Sequence, residues 1–92
     1  MNISVALKNE KKRYEATVDG QLAGTISYEV EGDVLDLQHT VVEPDYEGQG
    51  VGGELVKGAL DHMRSIGKKA KPTCSFVADW IEKNPEYQDM VA

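Results

Sequence analysis

From Ile3 to Val42 the apolar residues fall on alternate positions, and from Val51 onward they fall four apart, so the chain divides into a strand half and a helix half. Ile3, Val5 and Leu7 alternate with polar residues, and past a turn near Asn9-Glu10 so do Tyr14, Ala16 and Val18. This predicts two half-buried strands. Asp19-Gly20 signals a tight turn into a third, over Leu22, Gly24, Ile26, Tyr28 and Val30. Glu31-Gly32-Asp33 turns the chain into a fourth, Val34 to Val42, which carries apolar residues on both faces (Val34, Val42 and Leu35, Leu37, Val41), as a central strand does. Val51, Leu55, Ala59 and Met63, flanked by Val56 and Leu60, predict a helix from about Gly50 to Ile66 with one buried face. Gly67 is placed to be its left-handed cap, and Arg64, Lys68 and Lys69 sit near its negative end. Residues 68 to 72 read as a short strand ended by Pro72. Phe76, Val77, Trp80 and Ile81 recur as a second amphipathic helix, and Asn84-Pro85-Glu86 starts a final short turn around Tyr87 with Asn84 as its cap. The expected class is α+β (α/β): a mostly antiparallel sheet of about four strands, a glycine loop, a helix, a short strand and a C-terminal helix, in one domain over residues 1–92.

A chain of 92 residues has room for one modest core, so any active site is shallow or shared. With 40% hydrophobic and 28% charged residues and no long single-sign run, it has the make-up of an ordinary globular protein rather than a disordered tail. No stretch approaches the roughly 20 apolar residues of a membrane span. The start Met-Asn-Ile-Ser-Val-Ala-Leu-Lys lacks a signal peptide's basic opening and long apolar centre, so no membrane and a cytoplasmic location are expected. Ten basic against sixteen acidic residues give a net charge of −6, which disfavours nucleic acid and suits a basic or neutral partner. Cys74, the lone cysteine, can form no intramolecular disulfide and completes no metal-ligand cluster, so a reducing compartment and no metal are expected.

Between the two halves lies Val41-Val42-Glu43-Pro44-Asp45-Tyr46-Glu47-Gly48-Gln49-Gly50-Val51-Gly52-Gly53. Gly48, Gly50, Gly52 and Gly53 leave the backbone free of Cβ atoms where the loop becomes a helix, so several N–H groups can approach an anion at the positive helix end. A pyrophosphate-bearing cofactor suits such a cradle; the plainer reading is a mobile glycine turn. Gly48, Gly50 and Gly53 match the dinucleotide pattern G-x-G-x-x-G only formally, because the strand ends before Pro44 and Thr73 and Cys74 stand where the ribose-binding acid belongs. A Walker A loop is excluded, since no Gly-Lys-Ser/Thr follows.

Strands, Val42-Glu43-Pro44, a glycine turn opening a helix, a short strand and a second helix together resemble the acyl-CoA-binding core of the GNAT superfamily of N-acetyltransferases. Glu47-Gly48-Gln49-Gly50-Val51-Gly52 is similar to that family's pyrophosphate loop, Q/R-x-x-G-x-G/A. Pro72-Thr73-Cys74-Ser75-Phe76-Val77 and Asn84-Pro85-Glu86-Tyr87 resemble a group of very small, single-domain GNAT-like proteins. The resemblance implies acetyl-CoA as cosubstrate, its pantetheine arm on free backbone groups near Val41 and Val42 and its pyrophosphate on the amides of Gly48 to Gly53, with Gly50 and Gly52 least tolerant of replacement. Position 47 departs from the pattern: Glu47 puts negative charge beside the anion, which Gln49 offsets in part as a donor. The Asn and Tyr that larger relatives often carry at the second helix are replaced by Cys74 or Ser75 and by Trp80 or Ile81, and Tyr87 comes too late in sequence to match that tyrosine. The helices and hairpin that hold acceptors in larger relatives have no counterpart.

The remaining candidate chemistry is Cys74, just before a helix whose positive end favours the thiolate, and His39, on the strand leading to the loop, as base for the thiol or for an incoming amine. The plainer readings are a small core residue for Cys74 and a hydrogen-bonded filler for His39. His62 reads as surface, the Phe76, Trp80 and Ile81 stripe as core, and Lys57 and Lys83 as solvated. Two functions follow from the resemblance: an N-acetyltransferase acting on a cationic amine or protein acceptor, or a non-catalytic CoA-binding or protein-interaction module, as a monomer or weak homo-oligomer.

Overall fold

A computed structural model describes residues 2–92, in which the alternating half closes into an antiparallel meander. Its strands are β1 (Ile3–Lys8), β2 (Arg13–Val18), β3 (Gln21–Glu31) and β4 (Val34–Val42). Helix α1 (Val51–Ser65) follows, then β5 (Lys69–Lys71), which runs parallel to β4 and completes a sheet ordered β1-β2-β3-β4-β5. Helix α2 (Ser75–Lys83) and a 3-10 turn (Pro85–Met90) end the chain. α1 lies across β1, β2 and β3, burying Val51, Leu55, Val56, Ala59, Leu60 and Met63 against Tyr14, Ala16, Ile26 and Leu37. The four-residue apolar spacing therefore marks the buried face of α1, and Gly67 (φ +72°) turns the chain just after it.

Two bulges move side chains that strict alternation misplaces. Gly24 faces Ala16 but Leu22 faces Thr17, so Ala23 is the inserted residue and is fully buried, while Leu22 is left 40% exposed. On β4, Leu37 faces Tyr28 but His39 faces Ser27, which makes Gln38 the insertion. Beyond it Thr40 and Val42 continue the core side, opposite Ile26 and Gly24, and Val41 turns to the outer face with Thr25, where it is exposed. Asp36, buried on β4, accepts a hydrogen bond from the hydroxyl of Thr73.

His62 differs from its expected surface role. It is half-buried, its Nδ1 2.8 Å from the hydroxyl of Tyr14, a wholly buried ring whose polar tip needs a partner. Burial, with Tyr28 nearby, pushes the ionisation of that hydroxyl well up. Asn84 does not cap the last turn; its Nδ2 donates to the carbonyl of Trp80 at 2.7 Å. The turn is held by Tyr87 instead, whose hydroxyl donates to Asp61 Oδ1 on α1 at 2.8 Å while its ring meets Trp80 edge-on at 5.0 Å. Arg64 lies 5.2 Å over the same ring and bonds Asp89 at 2.7 Å. Tyr87→Phe should cost about 1 kcal/mol and lower the melting point by about 4–8 °C. A thermal melt that does not move would show that the hydrogen bond to Asp61 contributes nothing.

Candidate active site

β4 outruns β5. Their pairing spans Val34–Asp36 and Lys69–Lys71, and the last link is the Cys74 N–H to Leu37 O bond at 2.8 Å. From Gln38 to Val42 the edge of β4 on that side carries no strand. The N–H of Glu43 reaches Ala23 O at 2.8 Å on the β3 side, so alternation points the peptide groups of Val41 and His39 at β3 and those of Thr40 and Val42 at the open edge. Of the two valines that the resemblance nominates, Val42 thus has free backbone groups, and the carbonyl of Thr40 joins it, while the Thr40 N–H is turned to the thiol of Cys74.

The open edge leads to the glycine turn. Gly50 is the N-cap of α1 at φ +81°, a conformation that side chains strain, and Gly48 adopts a similar one at φ +77°. The first helical bond runs from Glu54 N–H to Gly50 O, so the amides of Val51, Gly52 and Gly53 have no partner within the helix. Together with the helix dipole they give this end of α1 a positive potential suited to an anion. Gly52 serves a second purpose: a Cβ there would lie 2.7 Å from Cζ of Phe76, whose ring rests on the bare backbone. The walls enclose a hollow of about 270 Å³ lined by Val42, Tyr46, Glu47, Gly48, Gly50, Val51, Gly52, Gly53 and Phe76. Gln49 does not line it; its Nε2 donates to Asp45 O at 3.2 Å, and Tyr46 pins the loop by donating to Gln21 at 2.9 Å.

Phe76, expected in the core, is 43% exposed. α2 has only nine residues and its buried face is Val77 and Ile81, which turns Phe76 toward Gly52. Trp80 is half-buried beside Gly53, its Nε1 3.4 Å from where a Cβ on that glycine would stand. Two glycines opening a helix are the sequence signal that something approaches closely, but they do not say what.

Cys74 is the N-cap of α2 and half-buried. The group meeting its thiol is Thr40, with Oγ1 3.4 Å from Sγ. His39 is exposed on the outer face opposite Ser27, so the structure does not bring His39 and Cys74 together. Burial pushes the thiol up, yet the Thr40 hydroxyl and the amides of Val77, Phe76 and Thr40 outweigh it and hold the thiol below its ordinary range. The rate of alkylation by iodoacetamide should therefore rise at lower pH than for a free thiol. Thr40→Val removes a donor to the thiolate and should move that midpoint upward; an unmoved midpoint would show that the hydroxyl has no part in it. Among the described residues no cluster of three His, Cys, Asp or Glu is placed to hold a metal, and no helix is long and apolar enough to cross a membrane.

The sequence model of the GCN5-related N-acetyl-transferases matches residues 13–90, covering β2 to β5, the glycine turn and both helices. The chain belongs to the GCN5-related N-acetyltransferase family. Within this family it is similar to protein NATD1 of Gallus gallus, 33% identical over 87 residues, 88% of this chain and 77% of that protein. Protein NATD1 of Homo sapiens is 32% identical over 87 residues, 88% of this chain and 75% of that protein. The solution structure of a GCN5-like protein from Staphylococcus aureus superposes with a TM-score of 0.72 at 27% identity, covering 99% of this chain and 89% of that one. The ribosomal-protein-S18-alanine N-acetyltransferase of Escherichia coli shares the fold, with a TM-score of 0.63 at 22% identity over 78% of this chain and 50% of that enzyme.

Proposed function

We propose that the protein is a minimal acetyl-CoA-dependent N-acetyltransferase whose acyl donor occupies the hollow and the open edge of β4. One observation carries this reading: three unpaired helix amides and a strand edge with free peptide groups border the same cavity. The amides of Val51, Gly52 and Gly53 would bind the pyrophosphate, and the peptide groups of Val42 with the carbonyl of Thr40 would pair with the pantetheine amides. The apolar wall of Phe76 and Val42 suits the arm between them. Acetyl-CoA supplies the activated acetyl group as its thioester. An unprotonated amine would add to the thioester carbonyl, the C–S bond would break, and the proton lost by the nitrogen would pass through water to the departing thiolate, releasing the thiol.

Cys74 offers a second route, in which its thiolate takes the acetyl group and passes it to the amine; incubation without acceptor would then add one acetyl mass to Cys74. His39 remains available only as a base approached from the outer face of the sheet. The net charge of −6 suits a cationic acceptor, such as a polyamine, a lysine side chain or a basic peptide. The expected result is acetyl-CoA-dependent thiol release that rises on adding spermidine or a lysine-rich peptide. Binding without release on any amine would favour the alternative, a non-catalytic CoA-binding module. Two features support that alternative: Glu47 stands where relatives carry Gln or Arg, and the hydroxyl of Tyr87 is committed to Asp61, eight residues and about 12 Å along α1 from Gly53. Glu47→Arg, at an exposed position, should tighten acetyl-CoA roughly fivefold at low salt, an effect of about 1 kcal/mol. Equal affinities in a calorimetric titration would place the anion elsewhere.

A further inference from the structure

The charges of this chain are segregated about the hollow. Asp19 lies on the turn between β2 and β3, Glu43, Asp45 and Glu47 between β4 and α1, and Glu54 in the first turn of α1, all exposed. The turn between β2 and β3 belongs to this end of the molecule, because Gln21 receives the hydroxyl of Tyr46. None of these segments contains a Lys or Arg; the basic residues that follow nearest are Lys57, one turn past Gly53 and paired with Asp61, and Lys83, next to Glu82 at the end of α2. Lys8, Lys11, Lys12 and Arg13 gather around the turn between β1 and β2, where Lys11 and Arg13 are paired with Glu15 and Lys12 with Glu29. Arg64, Lys68, Lys69 and Lys71 lie at the far end of α1 and in β5, Lys57 is paired with Asp61, and Lys83 closes α2. These are all ten basic side chains of the chain.

If the hollow takes CoA as proposed above, its two kinds of phosphate meet different surroundings. The pyrophosphate would be served by the amides of Val51 to Gly53, whereas the 3′-phosphate of the ribose, outside that cradle, would lie in the field of five exposed carboxylates against Lys57, itself paired with Asp61, and Lys83. We propose that the site binds a pantetheine thioester through its pyrophosphate alone and discriminates against the 3′-phosphate, so that 3′-dephospho-CoA is preferred to CoA. The 3′-phosphate adds close to two negative charges, and repulsion from exposed carboxylates reaches over about one Debye length, roughly 8–10 Å at physiological salt. The preference is thus large at low salt and vanishes at high salt.

Calorimetric titration of the full chain with CoA and with 3′-dephospho-CoA, at 20 and 300 mM NaCl, tests this. Expected is roughly fivefold tighter binding of 3′-dephospho-CoA at 20 mM, shrinking to near equality at 300 mM. The double variant Glu43→Lys/Asp45→Lys, at two exposed positions, should reverse the order at 20 mM. CoA binding as tightly as 3′-dephospho-CoA, or tighter, at 20 mM would overturn the proposal while leaving the CoA site intact. Binding of neither at millimolar concentration would overturn the CoA site itself and the proposal with it.

Discussion

Replacing Gly58 with leucine is expected to lower the unfolding midpoint by about 10–20 °C. Gly58 lies in the middle of α1, and a Cβ built on it would stand 2.7 Å from both Cβ and Cγ2 of Val5 on β1. Val5 Cβ is fixed to the strand backbone, so no rotamer change clears the space and the helix must lift from the sheet. Overpacking of this kind costs on the order of 2–3 kcal/mol, and each kcal/mol moves the melting point of a domain this size by about 4–8 °C. Gly58→Ala should behave more mildly, because it adds the Cβ without the further bulk of leucine and gains up to about 1 kcal/mol of helix propensity over glycine. Combining it with Val5→Gly, which removes the opposing Cβ, should relieve the overlap, and a thermodynamic cycle would record this as coupling between the two sites. A Gly58→Leu melt within about 3 °C of the parent would mean that α1 does not rest on β1 at this point.

The second large effect falls on binding. Gly50→Val should reduce acetyl-CoA affinity more than tenfold while the protein stays folded at 20 °C. An L-residue in the left-handed region costs roughly 1–2 kcal/mol, and a β-branched one more, so valine pulls Gly50 away from φ +81° and turns the amides of Val51, Gly52 and Gly53 off their common direction. The same substitution removes about 5–10 °C of thermal stability through the strained cap of α1. Gly52→Ala differs in kind: the new methyl meets the far end of the Phe76 ring, which can swing aside, so the fold holds and the hollow changes shape. Unchanged affinity in Gly50→Val would remove the glycine turn from the binding site.

Most of the architecture is legible because each element has one buried face. Alternation locates β1 to β4, the four-residue period locates α1, and the proline and asparagine signals bracket α2. What alternation cannot show is where a strand gains a residue. The insertions at Ala23 and Gln38 leave no mark in the alternation itself, and the second one decides the chemistry, since it turns Thr40 rather than His39 toward Cys74. Phe76 fails for a related reason: helical spacing says that Phe76, Val77, Trp80 and Ile81 share a face, but in a nine-residue helix Val77 and Ile81 are buried, Trp80 packs against the core half-buried, and Phe76 is left exposed. The glycine turn is the part of the site most open to sequence reasoning, because positive φ and close approach select glycine directly. The partner that approaches, Phe76 from α2, is set by how the helices pack and leaves no local mark.

Acetyl-CoA binding at the glycine turn is tested most directly by titrating the ¹⁵N-labelled protein with acetyl-CoA, followed amide by amide. Shifts are expected at Thr40 to Val42, at Gly48 to Gly53 and at Cys74 to Val77, with the β1–β2 turn and the end of α1 unmoved. Shifts confined to the outer sheet face around Ser27 and His39, or none at millimolar ligand, would contradict binding at the glycine turn.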